Sequence, residues 1–294
     1  MKVMILGAAG MLGHKMVQHF SSQFETIGTV RELTNDAASA YCFSKAKLIT
    51  NVHAHDIHSV IKVLDDIKPN VVINCIGIIK QLKESKDTLP ILKINSIYPK
   101  LLAQVCQERE IRLVHISTDC VFSGRHGNYS EQDLPDCDEL YGISKLLGEV
   151  TGPGCLTIRT SIIGRELRRG VSLIEWFLSQ KGGKVPGYLN AQYTGFTTNA
   201  MVEIVANIIT QHPKLEGLWH VSSDPINKYE LLKIVNKVYK LGIHIEPDKH
   251  FKCDRRLDST KFRLATLFKP KPWEEMIQSM HDDHTPYPLS LCPA

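Results

Sequence analysis

Tyr141 and Lys145 stand four residues apart in the run Tyr-Gly-Ile-Ser-Lys, where a helix is predicted to begin. Residues four apart share one face of a helix, so we expect the phenol and the ammonium side by side. Reducing a ketone places a hydride on carbon and a proton on oxygen, and a Tyr hydroxyl can supply that proton. Tyrosine has a reference pKa of about 10, which a neighbouring ammonium is expected to lower. The spacing alone is a weak motif, because it also occurs by chance.

A hydroxyl group is predicted to meet this pair from a neighbouring strand. The segment Ser117-Thr-Asp-Cys120 follows the apolar run Leu113-Val-His-Ile116. At the carboxyl end of that strand, Thr118 can hydrogen-bond a substrate oxygen and polarise it. The alternative is a strand that simply ends in turn-forming residues. The occurrence of Thr118 together with the Tyr/Lys pair favours catalysis.

A glycine-rich segment, Gly7-Ala-Ala-Gly10-Met-Leu-Gly13, lies between the first predicted strand and the first predicted helix. Glycines let the backbone turn sharply and approach a pyrophosphate, and a helix N-terminus adds free N–H groups and partial positive charge. The spacing is GxxGxxG, not the GxGxxG of the older dinucleotide fingerprint. A tight strand-to-helix turn is the alternative. The position favours cofactor binding by Gly7, Gly10, Met11, Leu12 and Gly13.

The end of the second strand predicts which cofactor is bound. An acidic residue there would bind a ribose 2′-hydroxyl, whereas an Arg would accept a 2′-phosphate. The sequence is Gly28-Thr-Val-Arg31, with no carboxylate before Glu32. We therefore expect NADP(H), with Arg31 on the phosphate and NAD(H) as the alternative; the competing interpretation is that Arg31 is merely exposed.

Two further strand ends are expected to border the cofactor. Asp56 and Ile57 follow the third strand, where they could line the adenine pocket, although Asp56 could equally cap a helix. Cys75 and Gly77 follow the fourth strand and are expected to pass beside the nicotinamide. Asn95, in the next helix, is a candidate structural bracket, because a buried amide needs partners.

Strands and helices alternate through the first half of the chain. We predict strands at 3–6, 26–30, 48–52, 71–76, 113–117 and 156–160, and helices at 11–20, 57–67, 94–107 and 140–150. Such alternation, with nearly continuous apolar strands, indicates an α/β fold with a doubly wound parallel sheet of the Rossmann type. Its ligand is expected at the carboxyl ends of the strands.

The second half is less regular. Helices are predicted at 171–178, 201–210, 229–239 and 273–280, a strand at 218–221, a polar loop at 182–198 and a loose tail from His281. We expect a dinucleotide-binding domain at 1–165, to which 197–222 returns, and a smaller, mainly substrate-binding domain at 166–294.

Composition limits the remaining classes of function. A formal charge of +4 with scattered basic residues does not call for nucleic acid. The eight cysteines form no CxxC pair or zinc spacing, and free thiols suit a reducing compartment, so we expect a cytoplasmic protein with no metal. Glycines interrupt the short N-terminal apolar stretch, which argues against a signal peptide, and no apolar run is long enough for a membrane span.

The chain resembles the dTDP-4-dehydrorhamnose reductase family within the extended short-chain dehydrogenases. The resemblance implies an NADP-type cofactor domain, a C-terminal substrate domain, reduction of a 4-keto group on a nucleotide-linked 6-deoxy sugar, and Thr118, Tyr141 and Lys145 as the catalytic triad. A homodimer is left open. The matching segments are Gly7–Gly13, Val72-Ile-Asn-Cys75, Ser117-Thr-Asp-Cys-Val-Phe-Ser-Gly124, Tyr141–Lys145, Ile158-Arg-Thr160 and Arg256-Leu-Asp-Ser259.

The sequence departs from the family at several positions. Members often have Tyr where this chain has Cys120, and Asp where it has Ser123. The segment 190–197 also differs. These features resemble a branch acting on UDP-linked 2-acetamido-6-deoxy-4-keto sugars, so both that hexose and dTDP-4-dehydrorhamnose are carried forward. Asp119 and Cys120 are expected to contact the substrate.

The substrate's pyrophosphate calls for arginine, whose planar fork matches phosphate oxygens. The family match selects Arg256 from the candidates, with a salt bridge to Asp254 or Asp258 as the alternative. Asn190 and Gln192, on the predicted 182–198 loop, could read a uracil or thymine edge. The other candidates are Arg165, Arg168, Arg169 and Arg255.

Two other functions compete with reduction. A sugar-nucleotide 4,6-dehydratase needs an acid and a base beside the Thr, usually Asp then Glu, and Cys120 cannot replace the Glu; this disfavours dehydration and leaves reduction or epimerisation. The regulatory subunit of methionine adenosyltransferase shares the implied fold and acts as a binding partner. The intact Thr-Tyr-Lys set favours catalysis.

Overall fold

Three sheets organise the parts of the chain that the computed structural model describes, namely residues 1–32, 36–168 and 170–288 without the side chain of Lys83. The largest has seven strands, all paired in parallel, which confirms the doubly wound α/β fold. In chain order the strands are β1 (Lys2–Leu6), β2 (Glu25–Thr29), β3 (Lys47–Ile49), β4 (Val71–Asn74), β5 (Arg112–Ile116), β6 (Cys155–Arg159), β7 (Ile162–Ile163), β8 (Lys184–Tyr193), β9 (Phe196–Thr197), β10 (Gly217–His220), β11 (Ile226–Asn227) and β12 (His244–Asp254).

The strand order of the large sheet, β3-β2-β1-β4-β5-β6-β10, reverses direction between β1 and β4. Their register pairs Val3 with Val71 and Leu6 with Asn74. All four residues of β4 are buried, as the apolar run predicts for a strand covered on both faces. The reversal opens a crevice beyond the carboxyl ends of β1 and β4, where doubly wound sheets bind their ligands.

Helices cover both faces of this sheet, and several begin at a side-chain cap. Asp56, Ser172, Thr197 and Asn227 each accept a hydrogen bond from a backbone N–H in the first turn of the helix that follows. The helices are α1 (Met11–Phe20), α2 (Ala37–Phe43), α3 (Ile57–Ile67), α4 (Thr88–Leu92), α5 (Tyr98–Gln107), α6 (Leu140–Leu147), α7 (Leu173–Ser179), α8 (Thr198–Gln211), α9 (Lys228–Tyr239), α10 (Thr260–Thr266) and α11 (Trp273–His281).

A second sheet of three strands, in the order β11-β8-β12, replaces the predicted polar loop at 182–198. That prediction is wrong. Strand β8 buries Val185, Gly187, Ala191 and Tyr193, but polar and aromatic residues between them obscure the pattern. Strand β12 pairs in parallel with β8 and is mostly exposed, so its sequence carries almost no apolar signal. Its pairing across some 60 residues of chain, rather than its composition, makes it a strand.

The predicted loose tail is also wrong for residues 281–288. Lys15 and Asp283 form an ion pair, and both side chains are buried. The Tyr287 hydroxyl lies 2.8 Å from His14 Nε2, and the rings of these residues pack edge to face. These contacts fasten the C-terminal segment to α1, directly behind the glycine segment.

The chain returns to the large sheet near its middle. Strand β10 adds to the edge at β6, with Gly217 opposite Leu156, while α8 packs against α1. The boundary between a domain at 1–165 and one at 166–294 stays a prediction. No helix in the described ranges has both the length and the apolar character needed to cross a bilayer.

Candidate active site

The glycine segment forms a tight turn between β1 and α1. Gly7 has φ +81°, and the Gly10 amide donates to its carbonyl at 3.0 Å. A Cβ on Gly13 would lie 2.1 Å from the Gly7 oxygen, and one on Gly7 would lie 2.9 Å from Ile76 Cγ1. The close approach of the turn, α1 and the segment after β4 therefore requires these two glycines. Helix α1 begins at Met11, directly after this turn, and Leu12 is buried; the free N–H groups of its first turn therefore lie at the carboxyl end of β1.

Other predicted cofactor residues lie at neighbouring strand ends. Arg31 is exposed just after β2, and its carbonyl accepts the Asn51 amide at 3.0 Å. Asp56 caps α3 by accepting the His58 amide at 3.0 Å, which is the alternative that the sequence allowed. Half-buried Ile57 packs against the apolar cluster beneath α3.

The end of β4 is fixed to the helix that carries Tyr141. Asn95 accepts the Ile78 amide at 2.8 Å and donates to the Ile78 carbonyl at 2.9 Å and to the Ser144 hydroxyl at 3.1 Å. The predicted bracketing role of Asn95 is confirmed. Burial raises the pKa of the half-exposed Cys75 thiol to about 12, opposed by the Lys145 ammonium, while Gly77 is exposed. The loop after β4 and helix α6 thus share one anchored edge.

Thr118, Tyr141 and Lys145 converge where β5 ends. Lys145 lies in α6, is 5% exposed and donates from Nζ to the Ile116 carbonyl at 2.7 Å. Thr118 is 8% exposed, and its hydroxyl is near enough to that of Tyr141 to lower the phenol pKa through hydrogen bonding. The structure therefore brings together the three residues that the sequence proposed as a catalytic set.

Burial dominates the electrostatics of this set. It raises the pKa of Tyr141, and the neighbouring Cys120 and Asp119 raise it further. The expectation that Lys145 lowers the Tyr141 pKa is wrong for this structure, because desolvation of the phenolate outweighs the favourable contacts. Burial lowers the pKa of Lys145 to about 8, opposed by the Glu149 carboxylate. Tyr141 is thus held as a protonated donor.

A buried charge network below the catalytic set was not predicted. Arg159 donates to both oxygens of Glu149 at 2.8 Å, and Ser117 donates to the same carboxylate at 2.7 Å. Arg159 Nη1 also lies 3.3 Å from Nε2 of buried His220. One signal was available: Glu149 follows Lys145 by four residues in the helix predicted at 140–150, although α6 itself ends at Leu147.

Asp119 and Cys120, the predicted substrate contacts, turn back toward Thr118. The Thr118 hydroxyl lies 3.2 Å from Asp119 Oδ1 and accepts the Cys120 amide at 3.1 Å. Arg255 donates from Nη1 to Cys120 Sγ at 3.5 Å and from Nε to the Phe122 carbonyl at 2.9 Å. Burial raises the pKa of Asp119 and raises that of Cys120 to about 12. Arg255 is therefore the arginine beside the candidate catalytic turn.

Arg256, which the sequence preferred over Arg255, faces a carboxylate of its own chain. Its Nε lies 2.8 Å from Asp254 Oδ1, and its Nη2 lies 2.6 Å from Asp254 Oδ2. This is the salt bridge given as the alternative. Of the other candidates, Arg165 pairs with Glu175 at 2.7 Å, and Arg169 lies outside the described residues.

Asn190 and Gln192 lie on strand β8 rather than on a covering loop. Asn190 is exposed and donates to the Lys249 carbonyl of β12 at 2.8 Å. Gln192 is half-buried, and its amide lies 3.4 Å from the Leu189 carbonyl. That these two amides read the edge of a uracil or thymine stays a prediction. The covering loop on which that prediction depended is a strand in the structure.

Lys228 is a basic residue near the site that the sequence analysis missed. It is the first residue of α9, and its Nζ lies 3.8 Å from the ring centroid of Tyr193. Burial lowers its pKa to about 8, while Asp119 and Cys120 act on it from the catalytic turn. No local sequence signal identifies it, because β11 and α9 bring it to the site from more than 100 residues away.

Residues 1–285 match the family described as the RmlD substrate binding domain. The chain belongs to this family. Curated relatives include the "Probable low-salt glycan biosynthesis reductase Agl14" of Haloferax volcanii, 31% identical over 55% of this chain but only 54% of that protein. A dTDP-4-dehydrorhamnose reductase of Aggregatibacter actinomycetemcomitans is 24% identical over 75% of this chain and 83% of its own. Methionine adenosyltransferase 2 subunit beta of Danio rerio is 25% identical over 84% of this chain and 76% of its own.

Solved structures share the fold across nearly the whole chain. The dTDP-4-dehydrorhamnose reductase of Bacillus anthracis, in complex with NADP, has a TM-score of 0.78 at 20% identity and covers 95% of this chain and 98% of its own. WbmG of Bordetella bronchiseptica, in complex with NAD, has a TM-score of 0.79 at 18% identity and covers 99% and 96%. At these identities the likeness establishes the fold.

Proposed function

We propose that this chain is an NADPH-dependent reductase that converts the 4-keto group of a nucleotide-linked 6-deoxy sugar to an alcohol, in the synthesis of surface polysaccharide precursors. The observation that carries the proposal is the meeting of Thr118, Tyr141 and Lys145 at the end of β5, beside the crevice between β1 and β4. The substrate is dTDP-4-dehydrorhamnose or a UDP-linked 2-acetamido-2,6-dideoxy-4-keto hexose.

The residues at the crevice fit a dinucleotide. Gly7 and Gly13 have no room for a Cβ in the turn that leads into α1, and the compact turn lets a pyrophosphate approach the N-terminal amides of that helix. Gly7, Gly10, Met11, Leu12 and Gly13 would hold it, with Arg31 at the 2′-phosphate. Cys75 and Gly77 would border the nicotinamide ring, and Asp56 and Ile57 would border the adenine. A bound nicotinamide dinucleotide supplies the hydride.

The chain's own groups handle the carbonyl oxygen. Thr118 donates a hydrogen bond that polarises the ketone, and Tyr141 gives its phenolic proton to that oxygen as the carbon is reduced. Lys145, held by the Ile116 carbonyl, supports the proton donor and the nicotinamide ribose. The hydride and the proton together convert C=O into CH–OH, and solvent returns the proton to Tyr141.

Three observations support this assignment over its alternatives. The family relatives include a dTDP-4-dehydrorhamnose reductase, and related folds bind NADP or NAD. Cys120 occupies the position where a dehydratase would carry Glu. At the carboxyl end of β2 the chain reads Gly28-Thr-Val-Arg31, with no acidic residue directly before Arg31 to oppose a 2′-phosphate.

On the substrate side, we propose that residues 166–294 supply most of the contacts. Asp119, Cys120 and Arg255 would lie nearest the hexose. Arg256, Asn190 and Gln192 would contact the substrate further from the reacting carbon.

Turnover by the purified protein tests the proposal. Incubation with NADPH and each 4-keto sugar nucleotide, followed by the absorbance of NADPH and by product chromatography, should show stoichiometric cofactor oxidation and a 4-hydroxy product with one of them. Thr118→Val should abolish most of that turnover. Absence of turnover with both sugars, in protein that binds NADPH, would contradict the proposal.

A regulatory role is the second candidate, favoured by the match to methionine adenosyltransferase 2 subunit beta over most of the chain. Such a subunit would bind a catalytic methionine adenosyltransferase and change its kinetics. Co-purification with that enzyme, together with absent sugar-nucleotide turnover, would favour this role over reduction.

A further inference from the structure

The strongest feature outside the proposed catalytic set is the side chain of Lys228. We infer that its ammonium donates a hydrogen bond to an oxygen substituent of the substrate's hexose near the ketone, and so determines which sugar is accepted. The inference deepens the proposed reductase function and rests on it.

The first step in the argument is the placement of Lys228. Asn227 caps α9 by accepting the Glu230 amide at 2.8 Å, which fixes the first turn of the helix. Strand β11 pairs Ile226 with Tyr193 of β8, so Lys228 emerges beside the Tyr193 ring. Tyr193 is 4% exposed and packs on Trp273, and the face of its buried ring contacts the Lys228 ammonium. The side chain of Lys228 is therefore held in place rather than free in solvent.

The second step concerns hydrogen-bond donors. An ammonium has three N–H donors. When it lies over an aromatic ring face, the ring stabilises its charge but leaves these donors without ordinary hydrogen-bond acceptors. Within the described ranges, Lys228 Nζ has the Tyr193 ring as its close contact and forms neither a hydrogen bond nor an ion pair. Its electrostatic neighbours are Asp119, Cys120 and Cys253, on the side of the catalytic turn.

The third step compares the other basic groups around the site. Lys145 donates to the Ile116 carbonyl, Arg159 to Glu149, and Arg256 to Asp254. Arg255 is held by the Phe122 carbonyl and Cys120 Sγ. Lys228 differs from all four, because its donors are not taken up by the described protein groups. A partly buried cation with free donors beside a catalytic turn fits an acceptor that arrives with the ligand.

The fourth step identifies the acceptor. Asp119 directly follows Thr118, the group proposed to polarise the ketone, and its carboxylate attracts the Lys228 ammonium, so Lys228 lies on the side of the catalytic turn. Hydroxyl and acetamido oxygens on the hexose are acceptors at that position.

The test compares Lys228→Met, which keeps most of the side-chain length and removes the donors, with Lys233→Met on the same helix. Lys233 is exposed, lies 5.2 Å from the Tyr229 ring centroid and pairs with Glu230 at 3.1 Å. For the sugar nucleotide that the wild type reduces, Lys228→Met should raise KM by about 10- to 100-fold. The kcat should change less than KM, and Lys233→Met should match the wild type. Lys228→Arg should recover part of the loss.

Competitive inhibition by the matching nucleoside diphosphate locates the contact. Its inhibition constant should stay within about twofold of wild type in Lys228→Met, since the hexose is absent from this probe. An equal rise in that constant would place Lys228 on the diphosphate and overturn the hexose assignment. An unchanged KM, or a loss only of thermal stability, would overturn the inference while leaving the reductase function intact; a wild type that reduces no 4-keto sugar nucleotide would refute both.

Discussion

The carboxyl edge of the seven-stranded sheet and the three-stranded sheet beside it place charged groups in different ways. At the first, Lys145 and the Glu149–Arg159 pair are buried, and protein groups satisfy them. At the second, strand β12 is mostly exposed, and the Arg256–Asp254 pair lies near the surface. Under the proposed function, the core would fix the proton-transfer groups, whereas the more open sheet would recognise the sugar.

The largest expected effect is at the catalytic edge. Tyr141→Phe removes the proton donor but keeps the ring, so kcat should fall by about 10²–10⁴-fold. Thermal unfolding and NADPH affinity should stay close to wild type. Retention of most of the activity in a steady-state assay would remove Tyr141 from its proposed role.

The two ion pairs give the next comparison, using matched acid-to-amide substitutions. Glu149→Gln leaves Arg159 buried beside a neutral partner and should lower the free energy of unfolding by about 3–5 kcal/mol. Asp254→Asn affects a partly exposed pair and should cost about 0–1 kcal/mol. Chemical denaturation of both variants measures the difference. Equal losses would mean that the two regions do not differ in this way.

Acid should destabilise the folded chain through two buried histidines, His14 in α1 and His220 in β10. Burial lowers the pKa of both His14 and His220 to about 4. Because the folded pKa values lie below the unfolded value of about 6.5, unfolding takes up protons. Their contribution is fully present above that value, falls as pH drops toward 4, and amounts to roughly 3 kcal/mol per group. Denaturation at a series of pH values should show this decline; constant stability between pH 6.5 and 4 would contradict it.

The smallest expected effect is at the cofactor's edge. Arg31 is exposed, so its contact with a 2′-phosphate is screened by solvent. Arg31→Ala should raise the KM for NADPH about tenfold or less while leaving that for NADH nearly unchanged. Equal cofactor efficiencies in the wild type would contradict the NADPH preference.

The same contrast explains how far the sequence predicted the molecule. Strands such as β4 and the Gly7–Gly13 turn carry their signals locally, as apolar runs and glycine spacing, and the structure confirms the Rossmann fold they predicted. The convergence of Thr118 and Tyr141 followed from their positions at a strand end and a helix start. These features depend on few long-range contacts.

The sheet β11-β8-β12 and Lys228 could not be predicted in this way. Strand β12 is polar and finds its register only through pairing with β8. Similarly, the sequence could not show which of Arg255 and Arg256 points toward Cys120. The two neighbouring positions carry the same residue type, so only the direction of each side chain distinguishes them. Side-chain direction after an irregular strand is set by tertiary packing, not by spacing.

Deuterium transfer tests the central claim most directly. The wild-type protein would be incubated with NADPH labelled with deuterium at the transferred position and with the 4-keto sugar nucleotide, and the product analysed by mass spectrometry and NMR. Reduction predicts one deuterium at carbon 4 of the sugar for each cofactor oxidised. A rearranged sugar that carries no deuterium, formed without net oxidation of the cofactor, would identify an epimerase and contradict the account.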